Sequence, residues 1–144
     1  MTTISRDRDF YDVWTTVTTR YSDQDPMQHI NNVAITAYLE SGRTGLFNTI
    51  FGPKLSPSRS MVLAGLTIDY LHELVFPTPV EVGAKLVRVG SKSLTAHFAI
   101  FQNDRCCVVS QSTNVFFDPK TRTSAEPSPE VRQRLKDLMG QRET

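Results

Sequence analysis

The first periodic stretch of the chain alternates between two faces, which is the pattern of a half-buried β-strand. One face collects aromatic and β-branched residues at every second position: Tyr11, Val13, Thr15, Val17, Thr19 and Tyr21. A polar stretch follows from Ser22 to His29, and Pro26 within it has no N–H to donate to a sheet. The sequence therefore predicts a strand over 11–21 and a loop after it.

From Val33 onward the apolar positions recur at spacings of four and three instead of two. The stripe they form consists of Ile35, Leu39, Gly42, Leu46 and Ile50, and it predicts a helix over 33–50. Asn31 or Asn32 supplies the N-cap, and Gly52 followed by Pro53 ends the helix.

Two glycines inside the predicted helix, Gly42 and Gly45, are unfavourable there, since each costs about 1 kcal/mol relative to Ala. A helix that contains both is expected to lie close against another backbone, either a sheet or a partner subunit.

The chain from Met61 to Phe117 is rich in β-branched and aromatic residues and is divided by turn-forming residues, as in a series of strands. The predicted strands are 61–71, 80–89, 94–100 and 106–117, with breaks at 76–79, at 90–93 and at Asn103–Asp104. A short C-terminal helix is predicted over about 128–140, with Ser128 as N-cap and Pro129 at its first position.

One amphipathic helix among so many strands predicts an α+β domain, in which an antiparallel sheet of about five strands curls around the helix. The four later strands are expected to follow one another as hairpins. Because the edges of such a sheet need partners, we expect dimerisation through an edge strand, with a homotetramer as a further possibility.

Composition limits the classes of function. A chain of 144 residues has the size of one domain, here 1–144, and 16 basic residues against 15 acidic ones give a charge of +1. That balance argues against a nucleic-acid partner and against binding to a membrane surface, and no apolar run approaches a bilayer's thickness. The start of the chain lacks a signal-peptide core, and the adjacent Cys106 and Cys107 cannot bridge without strain. We expect a cytoplasmic protein with reduced thiols and no metal site.

The loop before the helix carries most of the candidate chemistry. Between Arg20 and Asn32 it contains two carboxylates, Asp23 and Asp25, the imidazole of His29 and two amides. Each of these residues has a structural explanation as a turn former or a cap. However, a helix N-terminus offers unpaired N–H groups and a partial positive charge, which suit an oxyanion if a nearby group can attack a carbonyl.

The sequence resembles a known family across this loop and the helix. Its motif is Tyr21-Ser-Asp-Gln-Asp25-Pro-Met-Gln-His29-Ile-Asn-Asn32, followed by Tyr38-Leu-Glu-Ser-Gly-Arg43. This pattern is similar to that of the hotdog-fold acyl-CoA thioesterases of the 4-hydroxybenzoyl-CoA thioesterase type. The resemblance covers about 10–123 and implies the hotdog fold for this core.

The resemblance also implies roles for four residues. Asp25 is the catalytic carboxylate, and the backbone N–H of Asn32 is the oxyanion donor. Lys92 and Ser93, in the turn before the fourth strand, contact the phosphates of coenzyme A. Arginines that some members carry just before this pair are replaced by glycine and serine in this chain.

The reaction implied is hydrolysis of an acyl-CoA to free acid and coenzyme A, without a cofactor, since coenzyme A is part of the substrate. Asp25 acts either as nucleophile or as general base, which the sequence leaves open. Two alternatives are a non-catalytic acyl-CoA-binding hotdog protein and a hotdog enoyl-CoA hydratase; the spacing of Asp25-Pro26 and His29 disfavours the second.

Three weaker predictions concern the surroundings of this loop. Asp23 is expected to be a turn residue or to tune Asp25. Glu40 and Arg43, three residues apart, are expected to form a surface or inter-subunit ion pair. Core packing or an acyl pocket explains three apolar residues: Phe47, Ile50 and Leu63.

Overall fold

The computed structural model describes residues 3–52 and 61–140 of the chain. Its elements in chain order are β1 (Val13–Val17), α1 (Asn32–Phe51), β2 (Met61–Tyr70), β3 (Val80–Val89), β4 (Ser93–Gln102), β5 (Arg105–Asp118), β6 (Thr123–Ser124) and α2 (Pro129–Gly140). Most bounds lie within one or two residues of the predicted ones. The first strand is the exception, because it ends at Val17 and a 3-10 turn begins at Tyr21.

The strands form one antiparallel sheet in the order β1-β3-β4-β5-β2, with the two-residue β6 beside β5. This sheet curls around α1, so the predicted hotdog fold is confirmed. The expected succession of hairpins holds for β3, β4 and β5 but is wrong for β2, which pairs with β5 at the far edge.

The position of β2 follows from the connection that leads from it to β3. This connection passes the end of β4, where the side chain of Gln102 holds it. Gln102 Nε2 donates to the carbonyls of Val75 at 2.8 Å and Thr78 at 2.9 Å, and the Val75 N–H donates to Gln102 Oε1 at 3.0 Å. The chain therefore crosses from one edge of the sheet to its other half instead of turning back in a hairpin.

The core lies between α1 and the concave face of the sheet. Its fully buried side chains include Leu39, Leu46, Ile50, Val80, Val82, Phe98, Ile100 and Val108. A Cβ added to Gly42 would lie 2.4 Å from Val82 Cγ1 of β3, and one added to Gly45 would lie 2.5 Å from Thr15 Oγ1 of β1. Both glycines therefore allow α1 to lie close against the sheet, as expected for a helix that contains two residues unfavourable to helix formation.

The ends of the helices are capped as expected. Asn31 Oδ1 accepts a hydrogen bond from the Ala34 N–H at 2.8 Å, which makes Asn31 the N-cap of α1. Gly52 follows the helix with φ +88°. Ser128 Oγ accepts from the Val131 N–H at 3.2 Å at the start of α2. Within the ranges given above, no helix is long and apolar enough to cross a membrane.

The convex face of the sheet carries a second cluster of apolar side chains, covered in part by the N-terminal segment. It is built around Tyr11, Phe101 and Val109, and Cys106 packs against it, whereas Cys107 belongs to the concave core. Both thiols are free, and burial raises the pKa of each. Their opposite orientation agrees with the expectation that they do not bridge.

Candidate active site

The loop between β1 and α1 is a small hairpin. The Asn31 N–H donates to the Asp23 carbonyl at 2.8 Å, and two residues farther along the Asp25 N–H donates to the His29 carbonyl at 2.8 Å. Asp25 therefore lies roughly 7 Å beyond the first of these hydrogen bonds. Since α1 begins directly after Asn31, the hairpin holds the candidate carboxylate and the helix N-terminus on one rigid unit.

The carboxylate of Asp25 is oriented by backbone groups of the same turn. Its Oδ1 accepts hydrogen bonds from the N–H groups of Met27 at 2.9 Å and His29 at 3.1 Å. Gln28 takes the left-handed conformation with φ 64° to close the turn. Among the described residues, no group donates to the other oxygen, Oδ2. Asp25 thus has one fixed oxygen and one that is available to a substrate or a water.

Asp23, the other carboxylate of the loop, is 3% exposed and anchors the hairpin. Its Oδ2 accepts from the Tyr38 hydroxyl at 2.6 Å and from the Arg20 N–H at 3.0 Å, and its Oδ1 accepts from Arg20 Nη2 at 3.0 Å. Burial raises the pKa of Asp23, but the hydrogen bonds from Tyr38 and Arg20 outweigh it, so the net pKa is lowered. Asp23 is thus a buried ionised anchor rather than an ordinary turn former.

A second set of contacts ties the hairpin to the connection between β2 and β3. The Ile30 N–H donates to the Leu74 carbonyl at 2.9 Å. His29 Nε2 lies 2.7 Å from Glu73 Oε2 in a partly exposed pair. These contacts and the Asp23–Tyr38 hydrogen bond hold the two flanks of Asp25 in place.

Asn32 is the first residue of α1, as the candidate oxyanion donor should be. An N–H at this position has no partner within its own helix. The residue is exposed. Asp25 and Asn32 therefore lie on one short segment of chain, the hairpin and the start of the helix that follows it.

Lys92 and Ser93 lie elsewhere, Lys92 in the turn between β3 and β4 and Ser93 as the first residue of β4. The Gly90 N–H donates to the Ser93 carbonyl at 2.8 Å, and the Lys92 carbonyl accepts from the Phe116 N–H at 2.8 Å. This turn is at the Phe116 end of β5, whereas the hairpin is at the opposite end. Cys107, whose carbonyl accepts from the N–H groups of Leu71 and His72, is nine residues or about 30 Å from Phe116 along β5. One protomer does not bring Lys92 close to Asp25.

An arginine that the sequence pattern did not indicate lies at the same turn. Arg132 of α2 donates from Nη1 to the Gly90 carbonyl at 2.8 Å and from Nη2 to the Ser91 carbonyl at 2.7 Å. Its guanidinium thus stands beside the two positions where arginines are missing from the motif. No spacing in the sequence indicates this, because α2 reaches the turn only in the folded chain.

The expected ion pair between Glu40 and Arg43 is not formed within the described chain. The expectation that both residues lie on the surface is wrong for Arg43. Glu40 is exposed, but Arg43 is 7% exposed and faces the interior. Of the apolar candidates, Ile50 is fully buried in the core, Phe47 is partly buried against it, and Leu63 of β2 is 45% exposed. Across the described ranges, no three His, Cys, Asp or Glu side chains are grouped as metal ligands would be.

Comparison with known proteins assigns the family. Residues 19–135 match the model of the thioesterase-like superfamily. The chain belongs to this superfamily. A curated relative, the uncharacterized protein YsmA of Bacillus subtilis, is 30% identical over 82 residues, which are 57% of this chain and 56% of YsmA. The match thus spans about half the length of that relative.

Solved thioesterase structures share the whole fold of this superfamily member. A predicted thioesterase from Bacillus stearothermophilus is 31% identical, with a TM-score of 0.81 over 88% of this chain and 95% of that one. A thioesterase from Thermus thermophilus, complexed with coenzyme A and zinc, is 25% identical, with a TM-score of 0.78 over 88% of this chain and 98% of that one. A DHNA-CoA thioesterase from Staphylococcus aureus is 13% identical, with a TM-score of 0.80 over 90% or more of each chain, and supports the fold alone. Membership in the family supports thioester hydrolysis as the general reaction.

Proposed function

We propose that this protein hydrolyses acyl-CoA thioesters and is of the 4-hydroxybenzoyl-CoA thioesterase type. The observation that carries the proposal is the arrangement of Asp25, which has one oxygen fixed by two backbone N–H groups and the other without a donor among the described residues. A carboxylate held in this way at a helix N-terminus suits attack on a carbonyl or activation of water. The neighbour complexed with coenzyme A supports the choice of carrier.

In the proposed mechanism the thioester carbonyl oxygen accepts a hydrogen bond from the Asn32 N–H. The positive end of the α1 dipole stabilises the charge that develops on this oxygen. Asp25 either attacks the carbonyl carbon, giving a mixed anhydride that water hydrolyses, or removes a proton from the attacking water. The thiolate leaves without strong acid assistance, because a thiol has a pKa of about 8.5.

Binding of coenzyme A is proposed to involve Lys92 and Ser93 of a second subunit. The strand β2 lies at an edge of the sheet, and its backbone groups there suit pairing with a second copy. In a symmetric antiparallel pair of β2 strands, the Lys92 end of one protomer lies beside the Asp25 end of the other. A homodimer, or a homotetramer made of two dimers, is therefore expected, with a mass by light scattering of two or four times 16.2 kDa. A monomer would contradict this assembly.

The catalytic assignment is tested by Asp25→Asn. The amide keeps an oxygen that can accept from Met27 and His29, so the hairpin is expected to remain folded. The negative charge is lost, and kcat is expected to fall by roughly 10²–10⁴-fold. Steady-state release of free thiol from a panel of acyl-CoAs, with thermal melts of each protein, measures both effects.

A matched control for this variant is Asp104→Asn, which makes the same chemical change in the exposed turn between β4 and β5. Its kcat should equal that of the wild type. Asp23→Asn is unsuitable because Asp23 is a buried anchor. Full turnover by a folded Asp25→Asn protein would refute the mechanism, and wild-type protein that binds but hydrolyses no acyl-CoA would favour the non-catalytic alternative.

A further inference from the structure

Within the part of the chain that the structure describes, Arg43 is a buried cation without an ion-pair partner. The residue is 7% exposed, and its Nη1 atom is buried without a hydrogen-bond partner. Among the described residues, no carboxylate forms an ion pair with it. Burial lowers the pKa of Arg43, and the charge of Glu40 raises it only in part. An arginine nevertheless stays protonated in proteins, so the chain holds an unpaired charge at a substantial cost in stability.

Arg43 lies on the side of α1 that faces β5. Gly45 packs against β1 and Gly42 against β3 and β4, and the ring of Phe51 contacts β5 with ring centroids 6.3 Å apart. At 3.6 residues per turn, position 43 lies between Gly42 and Phe51 around the helix axis. It follows Leu39 and precedes Leu46 on the stripe whose apolar members are buried.

The surface of β5 that faces this side of the helix is polar in its middle. Val108 and Phe116 of this face belong to the core with α1. The residues between them on the same face are at most 3% exposed, and all three are polar: Ser110, Ser112 and Asn114. Ser112 Oγ donates to Asn114 Oδ1 at 3.0 Å. Ser110 Oγ donates to the Thr67 carbonyl at 2.7 Å, so Ser112 and Asn114 are the members of the strip that a further polar group would meet.

The polar strip and Arg43 lie at similar distances from the contact between Phe51 and Phe116, measured along β5 and along α1. The helix runs in the direction of β5 and reaches Phe116 at its end, where Phe51 contacts it. Arg43 is eight residues before Phe51, which is about 12 Å along the helix. Ser112 and Asn114 are four and two residues before Phe116, which is roughly 7–13 Å along the strand.

Apolar surface that is open to solvent adjoins this polar strip. The strand β2 pairs with β5 so that Leu63 lies opposite Asn114 and Tyr70 opposite Val108, on the same face of the sheet. Leu63 is 45% exposed and Tyr70 49% exposed. A ligand can therefore lie against an apolar wall and end at the polar strip.

Building on the proposed function, we propose that the acyl group ends in a carboxylate and that the guanidinium of Arg43 binds this carboxylate. A planar guanidinium matches a carboxylate with two hydrogen bonds and would neutralise its charge inside the protein. From Asn32, where the thioester carbonyl is placed, to Arg43 is eleven residues or about 16 Å along the helix. Helical side chains lean toward the N-terminus, so the guanidinium of Arg43 lies closer to Asn32 than its backbone does. An acyl chain of medium length therefore spans the distance from the thioester carbonyl to this guanidinium.

The test compares pairs of substrates that differ only in the terminal group. The full-length protein is assayed with adipoyl-CoA against hexanoyl-CoA and with suberoyl-CoA against octanoyl-CoA. We expect kcat/KM to favour the dicarboxylic member of at least one pair by about 10- to 100-fold, the worth of hydrogen bonds to a charged group. Equal or lower values for both dicarboxylic substrates would overturn the inference while leaving the thioesterase proposal intact. If no acyl-CoA is hydrolysed, the proposed function itself fails.

The variant Arg43→Met tests whether Arg43 causes the preference for the dicarboxylic substrate. This variant removes the charge and keeps an unbranched side chain, so the ratio of kcat/KM between the paired substrates is expected to fall toward one. Its melting temperature should rise, because an unpaired buried cation is removed. Glu40→Gln, one turn earlier and exposed, is the control and should keep the wild-type ratio.

A different partner for Arg43 would give a different result. If a carboxylate of a second subunit pairs with it, Arg43→Met lowers the melting temperature and the oligomer mass, and the wild type shows no dicarboxylic preference. That combination would overturn the inference. Should Arg43→Met fail to fold, Arg43→Lys retains a charge without the planar fork, and the wild-type substrate ratio still decides.

Discussion

On the side of α1 that faces β1 and β3, the helix touches the sheet through glycines, with no room for a Cβ at Gly42. On the side toward β5, which Phe51 contacts, the helix presents the long side chain of Arg43, and β5 carries buried hydroxyl and amide groups. Both sides are buried. The first is closed by direct packing, whereas the second holds Arg43, whose buried Nη1 atom has no hydrogen-bond partner within the described chain.

The two sides of α1 therefore have different roles: one holds the candidate active site in position, and the other is the side proposed to contact the acyl group. Close packing on the glycine side fixes the position of α1 and hence of its N-terminus and the hairpin attached to it. Tyr38 lies one turn before Gly42 on this side and reaches Asp23 in the hairpin. Side chains on the β5 side of α1 can be replaced without moving the helix or the hairpin. Substitutions on the glycine side should therefore affect stability, and substitutions on the β5 side should affect the choice of substrate.

The largest expected effect on stability comes from Tyr38→Phe, which removes the hydroxyl that donates to buried Asp23 at 2.6 Å. Hydrogen bonds to charged groups contribute about 1.5–3 kcal/mol, so the free energy of unfolding at pH 7 should fall by that amount. Urea unfolding followed by circular dichroism measures the change. Tyr21→Phe, at an exposed site, is the control and should leave the midpoint in place.

The same variant should change the dependence of stability on pH. The pKa of Asp23 is lower in the folded state than in the unfolded chain, so its contribution is present above about pH 4 and is lost as the pH falls through the folded-state value. Without the Tyr38 hydroxyl this pKa rises, and acid unfolding should begin at a higher pH. An acid midpoint equal to that of the wild type would show that Tyr38 does not hold Asp23 ionised.

The sequence predicts most of the frame because its signals are local. The periodicity of α1, the N-cap Asn31 and the turn at Asn103–Asp104 each depend on a few neighbouring residues, and all three are confirmed. The place of β2 in the sheet was predicted wrongly. Its pairing with β5 depends on partners about 38 to 55 residues away and on the side chain of Gln102, which leave no local pattern.

The residues around the candidate site are harder to predict for the same reason. Asp23 looks like any turn-forming carboxylate until Tyr38, fifteen residues later, covers it. Glu40 and Arg43 have the spacing of a surface ion pair, but the helix turns Arg43 toward β5 and leaves Glu40 outside. Asp25 lies in the hairpin and Asn32 begins the helix directly after it, whereas Lys92 lies at the opposite end of the sheet.

A smaller effect is expected for Gly42→Ala, which tests the closed side directly. The added Cβ would stand 2.4 Å from Val82 Cγ1, and Val82 is fully buried and stiff because it is β-branched. Overpacking of this kind costs about 1–3 kcal/mol, and the better helix propensity of Ala returns about 1 kcal/mol. Thermal and urea unfolding should therefore show a net loss of up to about 2 kcal/mol.

Gly45→Ala is the matched control for this substitution. Its Cβ would meet Thr15 Oγ1 at 2.5 Å, but that hydroxyl can rotate away within a partly exposed strand, so the gain in helix propensity offsets the contact. The stability of this variant should stay within about 0.5 kcal/mol of the wild type. In a double-mutant cycle, Val82→Ala should reduce the cost of Gly42→Ala, because the colliding Cγ1 atom is gone. A cost that is the same in both backgrounds would mean that Val82 does not set the distance between α1 and β3.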